Sequence, residues 1–88
     1  METAATLKKH TVLLVDDEQL LTLISLVLGA HGYNVMTAEN SEEALNRMER
    51  TKPDIVLTDI WMPGMDGIEL AGKIRESYPE IPVLNMTA

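Results

Sequence analysis

Acidic residues stand at the ends of two short apolar runs. Asp16 and Asp17 follow Val12, Leu13, Leu14 and Val15, and Asp59 follows Ile55, Val56, Leu57 and Thr58. A hydroxyl, that of Thr87, stands just past a third run, Val83–Met86. Carboxylates crowded together repel one another, and unless a cation joins them at least one tends to take up a proton. A divalent metal resolves the conflict. Hard oxygen ligands suit Mg²⁺, which keeps several waters and takes one or two carboxylates plus an oxygen from a phosphorylated partner. The same ion screens an incoming phosphoryl group, so that an aspartate can act as nucleophile and hold the phosphate as an acyl phosphate. Thr87 could donate its hydroxyl to a phosphate oxygen. Each residue also has a plainer use: Asp16 or Asp17 as a helix cap, Asp59 as the start of a turn, Thr87 as a strand end with no task. Their coincidence at one edge of a sheet is what favours chemistry.

That coincidence depends on the elements that carry them. Residues 12–15 and 55–57 are short, wholly apolar runs stopped by acids, the pattern of strands buried on both faces of a parallel sheet. Residues 33–37 alternate apolar and polar and predict an edge strand, and Val83–Met86 predicts a fourth strand. Between them lie three helical patterns. Over 19–30, Leu20, Leu21, Leu23, Ile24, Leu26, Val27 and Leu28 predict a helix with a wide buried face, stopped by Gly29 and Gly32. Asn40 with Glu43 has the spacing of an N-cap and its N3 carboxylate, opening a helix that runs to Arg50. The loop 60–67, IWMPGMDG, leads to Asp66 as the cap of a third helix closing near Glu76, with Ile68, Leu70, Ala71 and Ile74 as its apolar positions. The order βαβαβαβ is that of an open, doubly wound α/β domain, whose ligands bind beyond the carboxyl ends of the strands.

Composition narrows the function classes. With 88 residues and 9.8 kDa the chain is one domain, burying about 60% of the surface its unfolded form exposes. It is 45% hydrophobic and 24% charged, an ordinary globular balance. Seven basic residues against 14 acidic ones give net −7, which argues against direct nucleic acid binding. No cysteine is present, which excludes disulfides and thiolate chemistry and fits a reducing compartment, the cytoplasm. Neither a signal peptide nor a membrane span is expected, since the most hydrophobic run, 20–28, is far short of a bilayer's width. His10 and His31 fall at a strand start and a helix end and are expected on the surface.

The segments VLLVDDE, DIWMPGMDG and VLNMTA resemble the receiver domain of two-component response regulators, and AENSEEAL resembles that family's entry to its second helix. The resemblance runs in order through residues 11–88. It implies a flavodoxin-like fold and phosphorylation of Asp59 by a phosphohistidine on a sensor histidine kinase. It also implies that Asp17 and Asp59 ligate Mg²⁺ together with the main-chain carbonyl of Trp61, and that Asp16 holds the ion mainly through water. Thr87 would be the hydroxyl that moves toward the phosphate in switching. A phosphatase of the aspartate-nucleophile type is discounted, because its acid/base aspartate would fall two residues after the nucleophile, at Trp61.

Family receivers have five strands and five helices, and this sequence reaches only the fourth strand. Residues 1–10 are read as an N-terminal extension and 11–88 as an incomplete receiver. The family's phosphate-gripping lysine and its switch aromatic lie beyond that point. Lys52 precedes the third strand and Lys73 lies midway along the third helix, so neither should reach Asp59. The primary expectation is a phosphoacceptor signalling domain, not an enzyme beyond its own phosphotransfer. The alternative is a non-catalytic metal-binding or interaction fragment, phosphorylated poorly or not at all. The fourth strand is expected as an exposed edge, through which a second copy could associate or exchange elements.

Overall fold

The structure is a computed structural model that describes residues 10–16, 18–59 and 67–86. Short, largely apolar runs give the strands β1 (Thr11–Val15), β3 (Ile55–Asp59) and β4 (Val83–Met86), and an alternating one gives β2 (Asn34–Ala38). Three helices connect them: α1 (Glu18–Ala30), α2 (Ser41–Arg50) and α3 (Gly67–Ser77). The strands form one parallel sheet in the order β2-β1-β3-β4. Winding therefore starts at β1, proceeds outward to β2, then returns past β1 to β3 and β4. Residues 1–9 of the N-terminal extension read over 1–10, the Asp66 cap and the loop before Gly67 lie outside the described residues.

The helix ends follow from local chemistry. Asn40 is the N-cap of α2, its Oδ1 accepting from the Glu43 N–H at 2.8 Å. The Glu43 carboxylate does not return to the cap residue, as the spacing suggested; it accepts from the Glu39 N–H at 2.7 Å, one residue further back. At the end of α1, Gly32 has φ +92, a left-handed conformation that only glycine adopts cheaply. This turns the chain so that the Tyr33 N–H donates to the Leu28 carbonyl at 3.1 Å and strand β2 can begin.

Alternation along the strands sorts side chains to two faces. Leu13, Val15, Ala38 and Val56 face α2 and α3, where they pack with Ala44, Met48, Leu70, Ile74 and Ile81 in one continuous core. Val12 and Leu14 face the other way, toward α1, whose Leu21 is buried with them. Here the structure corrects an expectation: among the described side chains α1 has no wide buried face. Leu23, Leu26 and Val27 are 60%, 68% and 49% exposed. A helix is about 10 Å across and strands are about 4.8 Å apart, so one helix covers roughly two strands. Alone on its side among the described residues, α1 covers β1 and β2 with a narrow stripe, whereas α2 and α3 together cover the opposite face. For the same reason Leu84 of β4 is 54% exposed; β4 is the edge of the sheet among the described residues, and its amide Asn85 is exposed there.

The asymmetry of the two faces predicts opposite tolerance to truncation. Leu70→Ala, on the closed face, should lower stability in urea unfolding by about 2–5 kcal/mol. Leu26→Ser, on the open face, should change it by no more than about 0.5 kcal/mol.

Candidate functional site

Parallel pairing places the candidate acids. Val15 of β1 is the Cα partner of Thr58 of β3, so the next residue on each strand, Asp16 and Asp59, emerges at the same carboxyl edge. Asp59 is in turn the partner of Met86, the last residue of β4. Asp16 is 1% exposed and Asp59 half-buried. The Asp16 N–H donates to the Ala38 carbonyl at 3.1 Å, so β2 holds the residue in place after its own strand has ended. Thr58 is buried beside Asp59, and its hydroxyl donates to the Asp59 carbonyl at 3.0 Å.

Of the residues singled out in the sequence, the structure brings Asp16 and Asp59 together; Asp17, Trp61 and Thr87 lie outside the described residues. In sequence Thr87 follows Met86, the partner of Asp59. The two placed acids are hard oxygen donors on adjacent strands, a donor set that fits Mg²⁺ and not a soft metal. Two anchors escaped sequence reasoning, the Ala38 carbonyl and the Thr58 hydroxyl. The first carries no signal, since every residue has a carbonyl, and the second could have been suspected only from a polar residue inside an apolar run.

Both lysines weighed as phosphate ligands belong elsewhere. Lys52 precedes β3, at the amino end of the sheet, with its Nζ 3.8 Å from Glu80 Oε2 and 5.8 Å from the centre of the Tyr78 ring. Lys73 shares a surface cleft with that same Tyr78. Among the described residues no helix is long and apolar enough to cross a membrane.

Comparison with known proteins is consistent across sequence and structure. The family model for the response regulator receiver domain matches residues 12–88. The alkaline phosphatase synthesis transcriptional regulatory protein PhoP of Bacillus subtilis (strain 168) is 41% identical over 78 residues, which are 88% of this chain and 32% of PhoP. The chain thus spans about a third of that relative's length. Among solved structures, the response regulator TrrA of Thermotoga maritima in complex with Mg²⁺-BeF superposes with a TM-score of 0.82 at 38% identity, covering 90% of this chain and 71% of TrrA. TrrA in complex with the histidine kinase ThkA gives a TM-score of 0.84 at 40% identity, covering 90% and 69%.

Two carboxylates at adjacent strand ends repel when no cation is present. In the presence of a chelator, Asp59→Asn should therefore raise the urea midpoint, by on the order of 1 kcal/mol of stability. A lowered midpoint would mean that Asp59 does not feel the charge of Asp16.

Proposed function

The chain belongs to the response regulator receiver domain family, and from that premise we propose that Asp59 accepts a phosphoryl group from a phosphohistidine on a sensor histidine kinase. The observation that carries this reading is the β1–β3 register, which sets Asp59 beside the buried Asp16 at the carboxyl edge of the sheet. There a half-buried nucleophile stands on the strand next to a second acid. The Mg²⁺-BeF and kinase complexes of TrrA support the same assignment of ion and donor.

A carboxylate oxygen of Asp59 attacks the phosphorus, the bond from phosphorus to the donor imidazole breaks, and its electron pair returns to the imidazole nitrogen. Asp59 then carries an acyl phosphate. Asp17 and Asp59, with the Trp61 main-chain carbonyl, are the proposed direct ligands of Mg²⁺, and Asp16 holds it mainly through water. Bound there, the ion offsets the negative charge that gathers as phosphoryl oxygens approach carboxylates. Thr87, following the strand that pairs with Asp59, donates its hydroxyl to a phosphoryl oxygen. Thr58, by holding the Asp59 carbonyl, fixes the main chain from which the nucleophile projects. The domain works as a signalling switch that is itself modified, not as a catalyst turning over a separate substrate, and its lack of cysteine suits the cytoplasm.

Incubation with Mg²⁺ and phosphoramidate, followed by intact mass measurement, should add one phosphoryl group. Asp59→Asn or a chelator should abolish the addition, and Lys52→Ala should leave it unchanged. A parent chain that gains no mass would overturn the phosphoacceptor reading and leave a metal-binding fragment. Asp16→Asn should weaken Mg²⁺ binding by about 10–100-fold, the usual cost of losing a group that orients a metal's ligands. Titration followed by the fluorescence of Trp61, the only tryptophan, measures this.

A further inference from the structure

The outer edge of β2 lies far from the phosphoacceptor in the strand order and has an organisation of its own. The Asn34 N–H donates to the His10 carbonyl and the Ala38 carbonyl accepts from the Asp16 N–H. Strand alternation therefore directs the main-chain groups of Asn34, Met36 and Ala38 to β1, and turns the N–H and C=O of Val35 and Thr37 outward. Among the described residues no strand lies on that side.

A cleft borders this edge on each face of the sheet. On the α2 face one of about 330 Å³ is lined by Met36, Glu43, Asn46, Arg47, Arg50 and Thr51. On the α1 face another of about 410 Å³ is lined by Leu21, Thr22, Ser25, Leu26, Thr37 and Glu39. An extended strand laid beside β2 would send alternate side chains to these two clefts, the geometry of strand addition at a sheet edge.

Charge selects the occupant. In a chain of net charge −7, Arg47 and Arg50 are both exposed and make no ion pair with a described residue. Glu43, which lines the same cleft, accepts from the Glu39 N–H. The α2-side cleft thus presents two guanidinium groups against one carboxylate, that of Glu43, while Leu21 and Leu26 are the apolar part of the α1-side lining. A second copy is a poor occupant, since its own β2, Asn34–Ala38, carries no acidic side chain to meet Arg47 and Arg50. We propose that the outer edge of β2 is a strand-addition site for an extended acidic peptide of a partner protein. Its acidic side chains would meet Arg47 and Arg50, and its alternate, apolar ones would lie against Leu21 and Leu26.

A short, end-blocked peptide of alternating glutamate and valine is a direct probe, with binding read by fluorescence anisotropy and amide shifts on the full chain. The expected result is binding that shifts the Val35 and Thr37 amides and weakens as salt is raised. The lysine–valine counterpart should not bind. Arg47→Glu with Arg50→Glu should weaken the acidic peptide by at least about tenfold and admit the basic one. N-methylation of the peptide along one edge, which leaves the protein untouched, should abolish binding. No binding of the acidic peptide, binding indifferent to N-methylation, or shifts confined to another surface would overturn the proposal. So would self-association of the chain through β2 in sedimentation, which would assign the edge to a second copy.

Discussion

The register between β1 and β3 is the constraint from which the rest follows. In a parallel sheet all strands point the same way, so whatever residue comes next after each strand is delivered to one edge. Val15 against Thr58 puts Asp16 and Asp59 abreast at that edge. A slip of one residue would turn the apolar set of either strand to the wrong face and separate the acids. The pairing that buries Leu13, Val15 and Val56 is therefore the same pairing that builds the site, and selection for one maintains the other. Asp16 shows the cost of this economy. A carboxylate at 1% exposure is expensive to keep ionised unless cations or donors face it.

Much of this was legible in the residues. Uninterrupted apolar runs marked β1 and β3 as interior strands, the bounds of β4 coincided with its apolar run, and Asn40 announced the start of α2 through its cap. The gathering of Asp16 and Asp59 followed from the alternation of strands and helices together with the rule that loops at carboxyl ends carry ligands. What could not be read was how much of an apolar pattern would be covered. Periodicity in α1 identifies an amphipathic helix, but covering depends on how many strands one helix spans and what stands beside it. So Leu23, Leu26 and Val27 fit a buried pattern and are nevertheless exposed. Glu43 illustrates a finer limit: its spacing from Asn40 predicted a capping role, but not which main-chain N–H it would satisfy.

The two faces of the sheet consequently differ in kind. The face under α2 and α3 is closed, with a continuous core from Ala38 to Ile81. The face under α1 is partly open, and its stability rests on Val12, Leu14 and Leu21. The salt bridge from Lys52 to Glu80 and the stacking of Lys52 on Tyr78 fasten the closed side at the amino end of the sheet, away from the acids. As exposed contacts they position the turn before β4 more than they stabilise it.

The centre of the sheet is also the first strand of the chain. Thr11 and Asp54, 43 residues apart, are joined in both directions: the Thr11 N–H donates to Asp54 Oδ2 at 2.7 Å, and the Asp54 N–H to the Thr11 carbonyl at 2.8 Å. During synthesis β1 leaves the ribosome well before β3 exists, so an apolar strand must wait with one edge unsatisfied while α1, β2 and α2 emerge. Pairing with β2 can shield only the other edge. The nascent chain is therefore most vulnerable to aggregation in that interval, and its folding is paced by the arrival of β3.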